Sequence, residues 1–587
     1  MDKKILVMDD DPLVLRTLTK LFNKEGYSVV TAQGGKEALE KITETDFDLV
    51  ISDIKMAGID GVETATAIKR YFNKRNKPEI PIVFITGYAD IADQKHAQEL
   101  GEVLIKPFDN EELLENVRIE TEIYPHKKTC GELQIENRFS PRLATSFSLR
   151  VFPDSKGGNV LNISETGICF DCEGPALSGD ILLSMNLLPS KPEQPIEIPA
   201  RVKWHKILAE NRFQFGAQFS LLEKDLLYQI RDFIFDNFAK KASSIIEDNN
   251  DLKTKVEDFF NNDIRKFYEE MTSLAHEVAQ GSIEPDVAEQ KTTALINDLL
   301  LKKGHALEKM VSDERSMKKI KQLFRDLTGC WYYKSPIVKM AYDKPRGYPG
   351  DYKLFEIIYD KKPLAENKTL GFCWDNYFLN NGYAQAARSR KNKMKNILQD
   401  LIENSDLKTV RLLNVACGPS REIRELLCDP YLTQRKDIVF TGLDYDEESL
   451  KFSEAKFNNL PPNFKVRLIH ANVLSIFRDP KYFDLIGKQD VIYILGLTEY
   501  LPDRIFRNLT KFLFRLLNDK GTLVITYKDQ DIEFPSLPPE WLCDWAFIKR
   551  TKDDLIETTK QLGSDKFSLK IEREGTGTIF FLILTKT

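Results

Sequence analysis

The chain has 587 residues, 42% hydrophobic and 30% charged, which excludes a single core and points to three or four globular domains. A formal net charge of −6 gives no global attraction to DNA or to an anionic membrane. Eight cysteines without paired spacing and only six histidines argue against a disulfide frame and a zinc site, and fit a reducing compartment.

The start, MDKKILVMDDD, has no signal-peptide core, and no apolar run along the chain is long enough to span a bilayer. The expected location is therefore the cytoplasm, with no membrane span and no nucleic-acid polymer as partner. KKILVMD reads as a buried strand and PLVLRTLTKLFNKEG as a helix ending at Gly26. YSVVTA, DLVISD, PIVFITG and EVLIKPF read as further strands. This alternation predicts a doubly wound parallel sheet. Such sheets place their chemistry at the carboxyl ends of the strands, where Asp9, Asp10, Asp53, Thr86 and Lys106 fall.

Three carboxylates at one sheet edge repel one another unless a hard cation such as Mg²⁺ sits among them. A lysine can neutralise an incoming phosphoryl group, and a threonine hydroxyl can bond to it. A single Asp at a strand end also serves as a helix cap, but five matched positions in order ask for more than capping. Along its whole length this stretch resembles the response-regulator receiver domain. The resemblance implies Asp53 as phosphoacceptor, Asp9 and Asp10 as Mg²⁺ acids beside it, Thr86 and Lys106 as partners, and a sensor histidine kinase as phosphodonor. Ala57 stands where that family usually has proline, and Val103 where an aromatic switch residue is common.

After the linker TEIYPHKK, short alternating runs predict an antiparallel barrel or sandwich: LRVFP, GICFDCE, ILLSMNL, IEIPARVKWHKI and RFQFGAQF. RFSPR puts Arg138 and Arg142 four apart, a pair able to clamp phosphates and stack on purines. NISETG, with Asn162, Ser164 and Gly167, is a polar turn that can bring donors close to a base or phosphate. Together the two motifs resemble the PilZ domain. The resemblance implies cyclic-di-GMP as effector, held by Arg138 and Arg142 with Asn162, Ser164 and Gly167 on its other side.

From AKKASSIIEDNN to RDLTG the chain reads as long amphipathic helices of mixed charge. Their expected role is a spacer, a lid or a dimerising bundle, the last making a homodimer. SPIVKMAYDKPRGYPGDYKLFEIIY is too rich in turn residues for a helix and too decorated for a plain linker. A rigid turn between helices is the alternative. NNGYAQAARSRKNKMKNIL then begins a basic amphipathic helix with Arg388 and Arg390.

TVRLLNVACG is a strand and turn followed by the helix PSREIRELL; DIVFTGLDYD, KVRLIHANV, QDVIYILG and GTLVITY are four more strands. This is a second doubly wound sheet with a loop at its carboxyl edge. LLNVACGPS is no phosphate loop, since G-x-x-x-x-G-K-[ST] is absent, and a dinucleotide fingerprint needs three glycines where only Gly418 is present. What remains is the adenosyl-binding turn of class I methyltransferases, which this segment resembles. The resemblance implies S-adenosyl-L-methionine as cofactor, contacted by Asn414, Ala416 and Gly418 of the turn, by Asp444 at the ribose and by Asn472 at the adenine edge. Asn414 replaces the usual acid, and Ala416 and Ser420 replace glycines.

KPRGYPGDY, AQAARSRK, LLNVACGPSREI, GLDYD and GLTEYL together resemble the methyltransferases that make 3-hydroxypalmitic acid methyl ester, over roughly 320–587. A carboxylate acceptor has a pKa of about 4 and is already ionised at neutral pH, so it needs alignment and water exclusion rather than a strong base. The absence of Asn-Pro-Pro-Tyr after the fourth strand makes a nitrogen acceptor less expected. Arg346, Tyr348 and Tyr352 are the candidate catalytic residues, positioning a fatty-acid-like small molecule. The expected map is a receiver over 1–120 and a PilZ barrel over 131–238, then a helical spacer or dimerisation region over 239–330. A helical lid follows over 331–400, and an α/β Rossmann-like methyltransferase over 401–587. Two other classes stay open: a signalling scaffold that transfers nothing, and a methyltransferase acting on protein.

Overall fold

A computed structural model of the chain describes residues 3–45, 47–56, 58–74, 80–86, 97, 100–105, 113–114, 117, 142–152, 156–187, 195–209, 211–220, 222–247, 249–427, 435–457, 460–477, 479–532, 534–563 and 566–587. The chain divides into two compact units, one of residues 1–135 and 145–222, the other of 136–144 and 223–587. Among the described residues the strands form a five-stranded sheet, a closed six-stranded barrel and a seven-stranded sheet.

The first sheet comprises β1 (Lys4–Met8), β2 (Ser28–Ala32), β3 (Leu49–Asp53), β4 (Ile82–Thr86) and β5 (Glu102–Ile105), in the order β2-β1-β3-β4-β5. Every pairing is parallel. Ile5, Leu6, Val7 and Met8 are all buried, as expected of a strand covered on both faces. Asp11 caps the helix Pro12–Lys24 by accepting from the Leu13 amide, and Pro12 suits the first turn.

The barrel comprises β6 (Leu143–Phe152), β7 (Lys156–Ser164), β8 (Gly167–Glu173), β9 (Asp180–Met185), β10 (Ile196–Ala209) and β11 (Arg212–Phe219). It closes in the order β10-β11-β8-β7-β6-β9, so the structure selects barrel over sandwich. At the β10–β11 bulge the Trp204 ring lies on Gly216, where an added Cβ would stand 2.2 Å from the indole.

The last sheet comprises β12 (Thr409–Val415), β13 (Asp437–Asp444), β14 (Phe464–His470), β15 (Gln489–Ile494), β16 (Leu517–Lys528), β17 (Phe567–Arg573) and β18 (Ile579–Lys586). The order is β14-β13-β12-β15-β16-β18-β17, with β18 antiparallel to both its neighbours. β17 and β18 are additions to the five strands expected from sequence. The strand order reverses between β12 and β15, which opens a crevice at their carboxyl ends.

Helices cover both faces. Asp503–Leu516 buries Phe506, Leu509 and Leu513 on one; Gly382–Glu403 buries Ala386, Met394, Leu398 and Ile402 on the other. Helices Glu314–Tyr332 and Gly382–Glu403 run through the boundaries drawn from sequence at 330 and 400. The upstream helices are fastened to the helix Leu537–Cys543, where Lys321 bridges Glu308 and Glu540 at 2.6 and 2.7 Å. Trp541 packs there on Phe324, ring centroids 5.1 Å apart. Among the described residues no helix is long and apolar enough to cross a membrane.

Candidate functional site

Three strand ends of the first sheet converge. Asp9 and Asp10 follow β1, Asp53 closes β3, and Thr86 closes β4 and is buried. One carboxylate oxygen each from Asp9, Asp10 and Asp53 lies within 4.8 Å of the others. The helix-capping reading belongs to Asp11, which accepts from the Leu13 amide at 2.8 Å; Asp9 accepts from the Asp11 amide at 2.8 Å and stays at the cluster. This oxygen-only set suits a hard divalent cation. Gly61 lets the next helix close in beside Asp53, since a Cβ there would stand 1.9 Å from the Asp53 carbonyl oxygen. Lys106 and Ala57 lie outside the described residues.

In the barrel, Asn162 lies at a bulge of β7 and Ser164 pairs with Gly167 to close the β7–β8 hairpin. Ser164 is buried and its hydroxyl donates to the Gly167 carbonyl at 3.1 Å, so it shapes the turn. Arg142 is half-buried and immediately precedes β6; Arg138 lies outside the described residues. At the other end of the β7–β8 hairpin is a cleft of about 760 Å³, lined by Asn159, Asp171 and Arg212 among others, which sequence reasoning did not find.

The turn after β12 has three left-handed residues in five: Ala416 (φ 56), Gly418 (φ 50) and Ser420 (φ 48). The two positions where the sequence lacks the usual glycine therefore keep the glycine conformation, at about 1–2 kcal/mol each. The turn is stapled to β13. The Gly418 amide donates to Asp444 Oδ2 at 2.7 Å, the Cys417 amide to the Leu443 carbonyl at 2.9 Å, and Ser453 Oγ to the Gly418 carbonyl at 2.8 Å. Above Gly418 the space is open, with nothing within 4 Å of an added Cβ. Asp444 also accepts from the Asp446 amide at 2.9 Å; burial raises its carboxyl above the usual range, against the pull of these amides. Asn472 follows β14, half-buried.

Asn414 is buried and donates to Glu422 Oε1 at 3.0 Å, and the Tyr493 hydroxyl donates to the same oxygen at 2.8 Å. Asn414 and Tyr493 thus converge on Glu422, from the helix Arg421–Leu426. Sequence reasoning passed over Glu422 because its turn of helix reads as exposed.

The segment KPRGYPGDY turns between the helices Pro336–Asp343 and Tyr352–Asp360 and reaches the end of β13. Arg346 grips Asp446 with Nε, at 2.9 Å, and Nη2, and reaches Glu448 with Nη1 at 2.7 Å. The Tyr348 hydroxyl donates to Asp446 Oδ2 at 2.9 Å, and burial followed by that carboxylate pushes the hydroxyl pKa up. Tyr352 is buried against Phe452, ring centroids 5.2 Å apart. All three candidate catalytic residues therefore come to the end of β13 and the helix that follows it, with the polar groups of Arg346 and Tyr348 committed to this ion-pair cluster.

Family models for the response regulator receiver domain and the PilZ domain match residues 5–118 and 136–236. Sporulation initiation phosphotransferase F of Bacillus subtilis is 33% identical over 120 residues, 20% of this chain and 93% of that protein. Transcriptional regulatory protein ZraR of Klebsiella oxytoca is 40% identical over 111 residues, 19% of this chain. The chain spans only 24% of the length of that regulator. Among solved structures, chemotaxis protein CheY4 of Vibrio cholerae is 28% identical, covering 20% of this chain and 98% of that one, with a TM-score of 0.19. Through residues 5–118 the chain belongs to the response regulator receiver family, and over 136–236 it carries a PilZ domain.

Proposed function

We propose that the chain is a phosphorylation- and cyclic-di-GMP-responsive signalling protein whose C-terminal unit is a methyltransferase. The reaction is transfer of a methyl group from S-adenosyl-L-methionine to the carboxylate of a fatty-acid-type molecule, a 3-hydroxy acid being the expected case. In the receiver, Asp53 takes a phosphoryl group from a sensor histidine kinase. Asp9, Asp10 and Asp53 would hold Mg²⁺, whose charge offsets that of the phosphoryl oxygens. In the barrel, Arg142, Asn162, Ser164 and Gly167 are the candidates for the dinucleotide, with Arg138 completing the motif.

The observation that carries the methyl-transfer reading is the Ala416–Ser420 turn. Three left-handed residues hold the Gly418 backbone open at the point where strand order reverses, with Asp444 stapled beside it. S-adenosyl-L-methionine would supply an electrophilic methyl group. Asp444 would accept the ribose hydroxyls, Asn472 would meet the adenine edge, and the Gly418 turn would face the amino-acid end. The acceptor carboxylate arrives ionised, so the protein's task is to hold it in line and exclude water.

A second reading is favoured by one set of contacts. Both oxygens of Asp444 already accept backbone amides, and Arg346 and Tyr348 are engaged by Asp446. A unit with those groups so committed could serve partners without catalysis. Calorimetry of the full chain separates the two. The wild type should bind S-adenosyl-L-methionine, and Asp444→Ala should weaken binding at least tenfold, from loss of about 2–4 kcal/mol for two hydroxyl bonds. Tryptophan emission, from buried Trp331, Trp374, Trp541 and Trp545, should stay unchanged as a check on folding. No heat from the wild type at roughly millimolar cofactor, about the weakest affinity of interest, leaves the second reading in place.

A further inference from the structure

One buried pair of charges is used by none of these sites. Arg390, on the helix Gly382–Glu403, and Glu499, in the short turn after β15, are each 1% exposed, with Nη1 and Oε1 3.6 Å apart. That is within ion-pair range but beyond a hydrogen bond. Both Glu499 oxygens and the Nε and Nη1 of Arg390 are buried with no hydrogen-bond partner. Nearby Arg550 shows the usual solution to burial. Its Nε bonds Asp503, its Nη1 the Thr498 carbonyl and its Nη2 the Leu501 carbonyl. Charges left as Arg390 and Glu499 are carry a heavy desolvation cost, which a ligand offering the missing partners would offset.

The surroundings are built around the pair. Gly496 has φ 84 and lies against the guanidinium: an added Cβ would stand 2.7 Å from Nη1. The Phe355 ring lies 5.5 Å from the guanidinium carbon. Tyr383, Tyr500, Trp545 and Phe547 form an aromatic wall, with neighbouring ring centroids 4.9 to 6.0 Å apart. Glu499 is held at the carboxyl end of β15, on the other side of the strand-order switch from the Ala416–Ser420 turn.

We infer that Arg390 and Glu499 are a recognition site for a carboxylate that carries a hydrogen-bond donor on a nearby carbon. Arg390 would take the carboxylate through an unpartnered guanidinium N–H and Glu499 the donor, while the aromatic wall would receive apolar chain. This rests on the methyl-transfer reading and deepens it. Two sources present that chemistry: a hydroxy-acid acceptor, whose donor is a hydroxyl, and the amino-acid end of S-adenosyl-L-methionine, whose donor is an ammonium.

The test uses the full chain and calorimetry with three probes: 3-hydroxydecanoate, decanoate and S-adenosyl-L-methionine. In the wild type the hydroxy acid should bind at least about tenfold more tightly than decanoate, since only it offers Glu499 a donor. Glu499→Gln, of equal shape, should bring that ratio below about threefold and leave cofactor affinity unchanged. If the amino-acid end is the occupant, the acid ratio stays near one in both proteins and Glu499→Gln weakens the cofactor about tenfold instead. A purely structural pair moves neither quantity, and that result overturns the inference. Should Glu499→Gln not fold, the wild type decides by itself. A preference for the hydroxy acid, or at least tenfold weaker binding of decarboxylated S-adenosylmethionine than of the intact cofactor, supports the site; neither overturns it. A wild type that discriminates the acids but is silent toward the cofactor would refute methyl transfer and keep this site.

Discussion

Replacing Asp446 should unfasten the KPRGYPGDY segment from the sheet. Asp446 is fully buried and accepts from Arg346, from the Tyr348 hydroxyl at 2.9 Å, and from the amides of Glu448 and Ser449 at 3.0 and 3.3 Å. Asp446→Ala strands a guanidinium only 9% exposed, whose other carboxylate, Glu448, is 53% exposed. Breaking a buried pair costs about 3–5 kcal/mol, and removing the helix cap about 1 kcal/mol more. Because the two losses share one carboxylate, about 4 kcal/mol in total is expected. Glu448→Gln, which removes the exposed partner, should cost about 0–1 kcal/mol. Urea unfolding followed by tryptophan emission reads both. Burial alone would raise the Asp446 carboxyl, but the bonds from Arg346 and Tyr348 outweigh it and hold the pKa below its ordinary range. A depressed folded-state pKa gives stability that is complete above the unfolded value of about 4 and is lost as pH falls through the folded value. The gap between wild type and Asp446→Asn should therefore hold steady from about pH 7 to pH 5 and close only below about pH 4. If Asp446→Ala costs no more than Glu448→Gln, the segment is not fastened as described.

Two further outcomes concern the receiver and PilZ domains. Acetyl phosphate with Mg²⁺ should add one phosphoryl group per chain, seen as a shifted band on a phosphate-affinity gel; equal labelling of Asp53→Asn would remove Asp53 as the acceptor. Cyclic-di-GMP binding measured by calorimetry should weaken roughly tenfold or more in Arg142→Ala, since a bond to a charged donor is worth about 1.5–3 kcal/mol. Unchanged affinity there would make the arginine motif decorative.

The strands of the first unit were readable because burial on both faces, or on alternate faces, leaves a direct mark on composition. Asp9, Asp10 and Asp53 could be placed together because a parallel sheet sends every carboxyl end to one edge. Contacts distant in sequence left no such mark. Arg346 and Asp446 lie 100 residues apart, and nothing in the spacing names either as the other's partner. Arg390 sits in AQAARSRKNKMK, whose charge reads as a solvated face. The helix nevertheless turns Ala386, Ala387, Arg390, Lys391 and Met394 inward, and Lys391 meets Glu425 at 2.6 Å. β17 and β18 were missed because β18 is set by antiparallel pairing with β16, and β17 by antiparallel pairing with β18, rather than by another βα repeat.

The Ala416–Ser420 turn shows how departures from a familiar pattern can keep its geometry. Glycine adopts positive φ freely; alanine and serine do so only where their surroundings over-determine it. Here the determination is explicit. The Cys417 amide is tied to Leu443, the Gly418 amide to Asp444, the Ser420 amide to the Cys417 carbonyl, and the Gly418 carbonyl to Ser453. A strand that had only to turn into a helix could do so through relaxed conformations, without two strained side-chain-bearing residues. The position kept as glycine has an open outer face. Strain is therefore accepted on either side of the single residue at which an approaching ligand would meet bare backbone. The carboxylate that fixes that residue, Asp444, is itself fixed by the amide of Asp446, and Asp446 is gripped by Arg346 and Tyr348. This chain of contacts links the segment near residue 346 to the turn near residue 418.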